Sequence, residues 1–492
     1  MIQGFLKRFS KIPNFHHFHQ SLKMDSQRIQ EVISQGVDSG VIPTLMDYIR
    51  IPSLSTAFDP NWETNGYMEQ AQEVLLSYVR SLNIEGFTYE IVKEPGKPWL
   101  VFGEVQATAP DKGTILMYGH MDKQPHLSGW TVGGPTDPVI VDGKLYGRGG
   151  GDDGYALPGA ALCIKTLQSL GIPHGRIVIV AENEEESDSE SLVYYINKLR
   201  DRIGSPELIV CLDSGIMNYQ QFFITTSLRG VVNIDVTVKT ILAGMHSGGT
   251  SGVLPSAYRI MQHIISRIED ERTGEILIPE LHTEIKPSIY EGAAQIVKFM
   301  GPYIVGAFPL INGVKPMTDD LVQLLINRSW KPTLTVIGCE GLPPVADAGN
   351  VIQPHFTTRL SVRLPPGVSG KVATEALIRE ITRDPLYNAV VEVTPQSPSD
   401  GWAQNDLEPW LNEAVQEASN SVFHAPALNL WEGGSIPFMG YLGELFPSAQ
   451  FVITGILHLE SNPHSINENF SIEYLKKALS CVAYIIGKHA SK

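Results

Sequence analysis

Short apolar runs rich in β-branched residues alternate with helical patterns through the first part of the chain. The apolar runs are "GTILMYG" (113–119), "RIVIV" (176–180) and "ELIVCLD" (207–213), and the helical patterns are "ALPGAALCIKTLQSLG" (156–171) and "SLVYYINKLRD" (191–201). This alternation predicts a mostly parallel α/β sheet with helices on both faces. Near the end of the chain, "AQFVITGI" (449–456) predicts one more strand of the same sheet.

A different pattern, with an apolar period of two, appears between residues 228 and 397. Its predicted strands are "VVNIDVTVK" (231–239), "FTTRLSVRLPPG" (356–367) and "AVVEVTP" (389–395), with predicted helices over 255–268 and 368–382. The order predicts a small ferredoxin-like α+β domain. We therefore expect a discontinuous first domain, 25–227 plus 398–492, with 228–397 inserted into it. Residues 1–24 are predicted to form a flexible tail, and 270–345 support no fold prediction.

Composition excludes several functions. The 492 residues carry a formal net charge of −16, which argues against a nucleic-acid partner because phosphate backbones need a basic surface. No apolar stretch approaches the ~18 residues of a membrane span, so no membrane partner is predicted. The four cysteines are widely scattered without a CxxC pair, which indicates reduced thiols and a cytoplasmic protein.

Acidic and histidine side chains follow several of the predicted strands. After "RIVIV" come the carboxylates Glu182, Glu184, Glu185, Glu186, Asp188 and Glu190. Taken singly, each of them fits a solvated loop or a first helical turn. However, His120 follows another strand, Asp213 a third, and His464 comes soon after a fourth. Because the carboxyl ends of parallel strands form sites, the acidic run is predicted to face a cation.

The glycine-rich segment "YGRGGGDDGYALPG" (146–159) matches GxGxxG through Gly149, Gly151 and Gly154. A dinucleotide loop is therefore an alternative, but Asp152 and Asp153 would repel a pyrophosphate. In the other interpretation the glycines bring the chain close to a metal that Asp152 binds. Two histidines and three carboxylates suit two divalent ions bridged by one carboxylate, with Zn²⁺ favoured. Two such ions, ~3.5–4 Å apart, can hold a hydroxide and polarise a carbonyl.

Taken together and in order, the motifs resemble one known family. They are "GHMD", "YGRGGGDD", "ENEEES", "CLDSG", "MHSGG", "EGGSIP" and "PHSINE". The set resembles the co-catalytic zinc metallopeptidase family of carnosine dipeptidases, carboxypeptidase G and acetylornithine deacetylase. It extends over about 30–490, and "MHSG" and "EGGSIP" are most similar to carnosinase-like dipeptidases. The resemblance implies a dizinc catalytic domain with an inserted lid and dimerisation domain.

The resemblance also implies roles for individual residues. The implied metal ligands are His120 and Asp213 on one ion, Glu186 and His464 on the other, and Asp152 as the bridge. Asp122 would orient the imidazole of His120. Glu185 would be the general base for the attacking water and then the acid for the leaving amine. That Glu185 rather than Glu184 is the base comes from the family pattern alone.

Substrate contacts are implied mainly for the inserted domain. His246 in "AGMHSGG" resembles the histidine that stabilises the oxyanion, often from the partner subunit, and Asn350 resembles another cross-subunit contact. Arg363 resembles the arginine that grips the substrate carboxylate, with Gly434 and Ser435 at the same end. Without the resemblance, Arg363 would be interpreted as a solvated strand residue.

The sequence departs from the family pattern at a few positions. Gly154 stands where the family commonly has Lys, Asp188 where it has Gly, and Gln353 where it has Pro. None of these is an implied ligand, so they bear on loop geometry and substrate preference. The segment 397–406 lacks a histidine that carnosinases place near there, so carnosine is not assumed as the substrate.

The sequence therefore predicts a cytoplasmic, homodimeric dizinc hydrolase of dipeptides or short peptides with a free C-terminal carboxylate. The cofactor is predicted to be two Zn²⁺ per chain, with Mn²⁺ or Co²⁺ as substitutes. The alternative is a deacylase of N-acyl amino acids with the same machinery. A non-enzymatic binding protein on this fold is disfavoured because every implied ligand and the base are present.

Overall fold

The computed structural model describes residues 24–306, 308–434 and 436–492. It has a mixed α/β architecture built on one large mixed sheet and a smaller antiparallel sheet, which confirms the predicted α/β class. The predicted tail falls mostly on residues 1–23, which lie outside the described residues. Within the described part of the chain, no helix combines the length and apolar character needed to cross a bilayer.

The strands are numbered in chain order. They are β1 Phe87–Glu94, β2 Lys97–Val105, β3 Thr114–His120, β4 Val139–Val141, β5 Lys144–Tyr146, β6 Ile177–Glu182, β7 Pro206–Cys211, β8 Gly215–Ile216, β9 Phe223–Leu228, β10 Gly230–Lys239, β11 Met245–His246, β12 Thr333–Glu340, β13 Val351–Ile352, β14 His355–Leu364, β15 Val390–Pro395, β16 Trp402–Ala403, β17 Leu428–Glu432, β18 Gln450–Ile453, β19 Leu457–His458 and β20 Asn469–Ser471.

The α-helices are numbered in the same way. They are α1 Ser26–Gly36, α2 Ile42–Ile49, α3 Trp62–Asn65, α4 Tyr67–Ser81, α5 Ala156–Ser169, α6 Glu190–Lys198, α7 Arg200–Ile203, α8 Ser247–Thr250, α9 Ala257–Ile268, α10 Pro287–Met300, α11 Tyr303–Gly306, α12 Leu321–Ser329, α13 Gly370–Thr382, α14 Pro409–Val422, α15 Pro437–Leu445 and α16 Ile472–His489.

The large sheet has the strand order β1-β2-β6-β3-β7-β18-β9-β16, and β17 pairs with β9. Its centre, β6-β3-β7-β18, is parallel, as the strand–helix alternation predicts. The strand predicted over 449–456 is β18, which pairs in parallel with β7. Since these four strands run the same way, their carboxyl ends lie along one edge of the sheet.

Alternate side chains of the central strands enter two different cores. In β6, Ile177 and Ile179 pack in the core that contains α1, α5, α14 and α16. Val178 and Val180 face the opposite core, which contains residues of α6 and α15. Because both faces are covered, β6 is apolar at every position from 177 to 181, as expected for a parallel strand buried on both sides.

The small sheet has the order β12-β14-β10-β15 and is antiparallel throughout. Alternate residues of β10 are buried beneath α9 and α13, in agreement with the period of two in its sequence. Three of the strands and both helices correspond to the predicted ferredoxin-like elements. The fourth strand, β12, lies in 270–345, where the sequence supports no fold prediction.

Part of the predicted insertion packs on the large sheet rather than on the small one. Ala293 and Ile296 of α10 and Ile326 of α12 belong to the core that contains α5 and α16. These two helices therefore border the large sheet although their residues lie between 228 and 397. The boundaries of the inserted domain stay a prediction.

Candidate active site

Three neighbouring parallel strands bring the predicted ligands to one edge. β3 ends at His120, β6 is followed by the turn that contains Glu185 and Glu186, and Asp213 lies two residues beyond β7. His120 and Asp213 are buried, and the side chain of Glu186 is nearly so. The sheet thus places side chains far apart in sequence within a few ångströms of each other.

Asp152 lies between the two histidines. Its Oδ1 is 3.3 Å from Nε2 of His120, and its Oδ2 is 3.0 Å from Nε2 of His464. The two oxygens of one carboxylate therefore face two different imidazoles. This arrangement is the one expected of a carboxylate that bridges two ions.

Asp122 connects the His120 segment with the acidic turn. One carboxylate oxygen is 3.3 Å from Nδ1 of His120. The two oxygens also accept hydrogen bonds from the backbone N–H groups of Glu185 and Glu186, at 3.2 and 3.0 Å. Asp122 thereby fixes the position of the imidazole and of the turn, and leaves the Nε2 side of His120 for the site.

Glu186 and Glu185 point to different parts of the site. Oε2 of Glu186 is 3.2 Å from Nε2 of His464 and accepts a hydrogen bond from the amide of Gln124 at 2.7 Å. Oε2 of Glu185 is 4.0 Å from Nε2 of His120, and Glu185 lines the open cleft beside Asp152. The adjacent side chains diverge, so that one can bind a metal while the other faces a substrate.

The carboxylates of the site are held in conditions that disfavour their ionised forms. Burial, followed by the charge of Asp213, raises the pKa of Glu185 well above its ordinary value. Burial, followed by the charge of Asp152, does the same for Glu186. Burial and the charge of Asp152 raise the pKa of Asp213 to about 6, although His120 opposes the shift. Buried like charges of this kind bind protons unless a cation neutralises them.

The pKa of Asp152 is lowered and the pKa of His120 is raised, because the two side chains are hydrogen-bonded to each other. Burial acts to raise the pKa of Asp152, but hydrogen bonds from His120 and His464 hold it below its ordinary value. Burial acts to lower the pKa of His120, yet its bonds to Asp122 and Asp152 raise it well above the ordinary range. The centre of the site therefore attracts positive charge.

The donor set fits divalent cations. Ligand atoms of His120, Asp152 and Glu186 lie within 4.8 Å of one another, and so do those of His120, Asp153 and Asp213. Asp153 is fully buried and its Oδ1 has no hydrogen-bond partner among the described residues, while its Oδ2 accepts the backbone N–H of His120. Imidazole with carboxylate oxygen is a donor combination that suits Zn²⁺ and related metals.

The glycine-rich loop is closely packed, and this packing explains why a glycine stands at position 154. A Cβ at Gly154 would lie 2.3 Å from the ring of Tyr48 and 2.7 Å from the carbonyl oxygen of Gly149. Gly149 itself adopts φ 81°, and a Cβ there would contact the stem of Lys123. A lysine at position 154 has no room here, because the ring of Tyr48 and the carbonyl of Gly149 occupy the space.

A buried ion pair that sequence reasoning missed fastens the metal loops together. Arg148 pairs with Glu468, and both side chains are 1% exposed. Arg148 also donates to the carbonyl of Ser465 at 2.9 Å, and Glu468 accepts the N–H of Gly149 at 2.9 Å. The loop of Asp152 is thus joined to the loop of His464. Each residue is four positions from a predicted ligand in the sequence, and this proximity was the one sign in the sequence that they belong to the site.

An open cleft of about 470 Å³ leads to the carboxylates. Its lining includes Asp152, Glu185, Asp213 and His464, and also Gly434. Several other lining residues were not predicted from the sequence, among them Arg328, Glu432, Met217 and His458. Glu432 begins the "EGGSIP" motif, and Arg328 lies in the segment without a fold prediction.

The other predicted substrate residues do not line this cleft. His246 and Asn350 are exposed and adjacent, since β11 pairs with β13 and the N–H of Ser247 donates to the carbonyl of Asn350 at 2.8 Å. Arg363 lies on β14, where burial lowers its pKa. Ser435 lies outside the described residues.

Comparisons with known proteins identify the family of the chain. Residues 116–488 match the model of the peptidase family M20/M25/M40. The chain belongs to this family. The resemblance identified from the sequence motifs is confirmed at this level.

Several curated relatives and solved structures are similar to this chain over most of their own length. The Cys-Gly metallodipeptidase dug1 of Schizosaccharomyces pombe is 24% identical over 489 residues, 96% of this chain and 99% of that protein. The Beta-Ala-His dipeptidase of Homo sapiens is 25% identical over 384 residues, 74% of this chain and 72% of that protein. The crystal structure of human carnosine dipeptidase 1 matches with a TM-score of 0.75 and 21% identity, over 95% of this chain and 99% of that one.

These findings identify the chain as a metal-dependent peptidase. The family is one of peptidases, and the relative from Schizosaccharomyces pombe is a metallodipeptidase. The likeness to carnosine dipeptidase 1 shows the fold. The candidate metal-binding residues described above provide the matching donor set in this chain.

Lys123 is a buried lysine directly behind the metal-site segment of this M20/M25/M40 peptidase. It is 0% exposed, and its ammonium donates to the carbonyl oxygens of Tyr48 and Ile51 at 2.8 and 2.7 Å. The ammonium also lies 3.9 Å from the centre of the Tyr48 ring. Burial lowers the pKa of Lys123 to about 7. Lys123 therefore joins the strand-end segment to the end of α2.

Replacing this lysine by methionine, Lys123→Met, should change the pH dependence of stability. The folded-state pKa of Lys123 is below the ordinary value of 10.5, so the wild type releases this proton on folding between about pH 7 and 10.5. Its stability relative to the variant should therefore grow as the pH rises through that window. The melting temperatures of both proteins at pH 7, 8 and 9 measure this difference.

The matched control is Lys371→Met, which removes an exposed lysine. Its difference in melting temperature from the wild type should stay constant over the same pH values. A constant difference for Lys123→Met as well would show that Lys123 is not held with a lowered pKa.

Proposed function

We propose that this peptidase hydrolyses dipeptides or short peptides with a free C-terminal carboxylate, using two divalent cations per chain, Zn²⁺ in the first place. The observation that carries the proposal is the position of Asp152. Its two oxygens face His120 and His464 separately, and Glu185 stands beside it in an open cleft. The family assignment and the metallodipeptidase relative support the same reaction.

The proposed ligands divide into two groups around the bridge. His120 and Asp213 would hold one cation; Nε2 of His120 and Oδ2 of Asp213 are 3.8 Å apart. Glu186 and His464 would hold the other; Oε2 of Glu186 and Nε2 of His464 are 3.2 Å apart. Asp152 would bind both. When bound, the cations would supply Lewis acidity to the scissile carbonyl and lower the pKa of a water. Asp153 is an additional candidate ligand, since it lies with His120 and Asp213.

Glu185 is proposed to move the proton. It lines the cleft, and its backbone N–H is fixed by the carboxylate of Asp122. In this position it can take a proton from the attacking water and give it to the leaving amine.

The substrate end is proposed to be completed by the inserted domain. His246 and Asn350 stand side by side at an exposed two-stranded sheet, β11 with β13, and do not line the cleft of their own chain. An exposed pair of this kind can serve the cleft of a partner subunit in a homodimer. Arg363, with Gly434, is proposed to bind the substrate carboxylate.

We place the protein in the cytoplasm. Among the described residues all four cysteines are free, three of them buried and Cys339 exposed. An exposed free thiol is compatible with a reducing compartment. Mn²⁺ and Co²⁺ are alternative metals for the same donor set.

Metal content and turnover should respond differently to two substitutions. Asp152→Ala should lose both cations, because it removes the bridging carboxylate. Glu185→Ala should keep about two cations per chain yet lose turnover by about 10²–10⁴-fold, because it removes a general base and no ligand. Elemental analysis of the purified variants and dipeptide assays measure the two quantities.

The exposed neighbour Glu190 offers a matched control for this pair. Glu190→Ala should preserve both metal content and turnover. An active Glu185→Ala would make the assignment of the base wrong, and full metal retention in Asp152→Ala would remove the bridging role.

Mixing two inactive variants should restore activity if the site is shared between subunits. In a mixed dimer of Glu185→Ala and His246→Ala, one site has both an intact Glu185 and an intact His246. After subunit exchange the activity should reach about a quarter of the wild-type rate, since half of the dimers are mixed and each has one intact site. Exchange itself is followed with differently tagged subunits.

A mixture of Glu185→Ala with Asp152→Ala is the control, because both residues lie in the same chain's site. It should show no rescue. If the subunits exchange in the first mixture but no activity returns, His246 acts in the site of its own chain or has no role in the reaction.

Amidating the C-terminus of a good dipeptide substrate should lower kcat/KM by tenfold or more. A guanidinium pairs best with a planar carboxylate, and a charge-assisted hydrogen bond contributes about 1.5–3 kcal/mol. Arg363→Ala should reduce hydrolysis of the free acid to a similar level and change the amide little. Steady-state kinetics on both substrates with both proteins give the comparison.

N-acetylation of the same dipeptide separates the dipeptidase from the alternative deacylase. A dipeptidase should reject the acetylated substrate, whereas a deacylase of N-acyl amino acids should prefer it. Equal cleavage of acid and amide by the wild type would remove the proposed carboxylate contact of Arg363.

A further inference from the structure

Arg328 projects into the cleft from a helix that is firmly packed. α12 buries Leu325, Ile326 and Ser329, and Leu325 and Ile326 join the core of the large sheet. The side chain of Arg328 is 28% exposed and lines the cleft. A charged side chain that lines the cleft from a rigid helix can act as a fixed contact for a substrate.

Arg328 and Arg229 border the same turn, Gly433–Gly434. Arg229 donates through its backbone N–H to the carbonyl of Gly434 at 3.0 Å, and through Nε to that of Gly433 at 2.9 Å. The carbonyl oxygen of Arg328 lies 3.2 Å from the place a Cβ of Gly433 would take. The hydrogen bonds of Arg229 thus hold the turn, while the side chain of Arg328 lines the cleft.

The positive charge at this end exceeds the negative charge nearby. Burial, and then the charges of Arg363 and Arg328, lower the pKa of Arg229 to about 10. Among the described residues, Glu432 is the one carboxylate within 4.0 Å of Arg229 or Arg328, at 3.7 Å from Nη2 of Arg328. That distance is longer than a hydrogen bond, and the Arg328 side chain donates none to any described residue. An anion at this position would offset the excess charge.

The lining of the cleft therefore combines the site carboxylates Asp152, Glu185 and Asp213 with the guanidinium of Arg328, which lies beside Glu432. In the proposed reaction the scissile carbonyl lies at the metal end, so the C-terminal residue of a dipeptide extends toward Arg328. An acidic side chain there would bring a second carboxylate, besides the terminal one assigned to Arg363. A cleft of about 470 Å³ has room for a dipeptide with a long side chain.

We propose that Arg328 is a specificity-determining residue that selects dipeptides with an acidic C-terminal residue. The inference rests on the proposed dipeptidase function, which sets the direction of the substrate in the cleft. Arg328 makes no contact with the reacting atoms in this proposal. It discriminates through charge, because a carboxylate pairs with its guanidinium fork and the isosteric amide does not.

The test compares isosteric substrates. The wild type, loaded with Zn²⁺, should hydrolyse Ala-Glu with a kcat/KM at least tenfold above that of Ala-Gln. Arg328→Gln should reduce this ratio to below about two, and Arg328→Lys should retain part of it, since the point charge remains but the fork is lost. Arg28→Gln, which removes an exposed arginine on α1, should keep both the activity and the ratio.

Binding without turnover gives a second readout. In Zn²⁺-loaded Glu185→Gln, calorimetry should show tighter binding of Ala-Glu than of Ala-Gln, by a similar factor. Adding Arg328→Gln should abolish the difference, while thermal unfolding reports whether the double variant is folded. Arg328→Met serves in place of Arg328→Gln if the latter is unstable.

Equal rates on Ala-Glu and Ala-Gln in the wild type, or a preference that persists without Arg328, would overturn the proposal. Failure of the proposed function is a distinct outcome, in which no dipeptide is hydrolysed by the wild type. Even then, the calorimetric comparison decides whether Arg328 recognises the acidic side chain.

Discussion

Repulsion among buried carboxylates is the constraint on which the rest of the site depends. Asp152, Glu185, Glu186 and Asp213 converge at one edge of the sheet, and burial raises the pKa of three of them. Such a cluster is stable only when positive charge is brought into it. The histidines supply part of that charge, and the donor set fits divalent cations for the remainder.

The surrounding interactions keep the crowded groups in place. Asp122 binds the backbone of the acidic turn, the pair Arg148–Glu468 joins two metal loops, and Lys123 holds the strand-end segment against α2. Each is a buried polar or charged group whose partners are satisfied, which is the condition under which such groups stabilise a structure. The cost of concentrating negative charge is thus offset by a network behind the site, and by the two apolar cores of the sheet.

The cleft in front of the site also carries a positive charge, that of Arg328. Arg229 holds the Gly433–Gly434 turn, and Arg328 enters from a helix packed on the large sheet. The β11–β13 pair with His246 lies outside this cleft. The described chain by itself forms the cleft with the candidate metal ligands, and in the proposed function His246 and Asn350 would serve the cleft of a second subunit.

The sequence alone determined the α/β class, the central strands and the residues expected at their ends, because apolar period and strand-end position are local properties. The family was also evident from motif order. The sequence did not reveal β12, the packing of α10 and α12 on the large sheet, or Arg328, since 270–345 has no clear period. The lack of room for a side chain at Gly154 was equally hidden. Only the tertiary structure decided these points, because they depend on which surfaces meet: Tyr48 fills the space beside Gly154, and the core places Arg328 at the cleft.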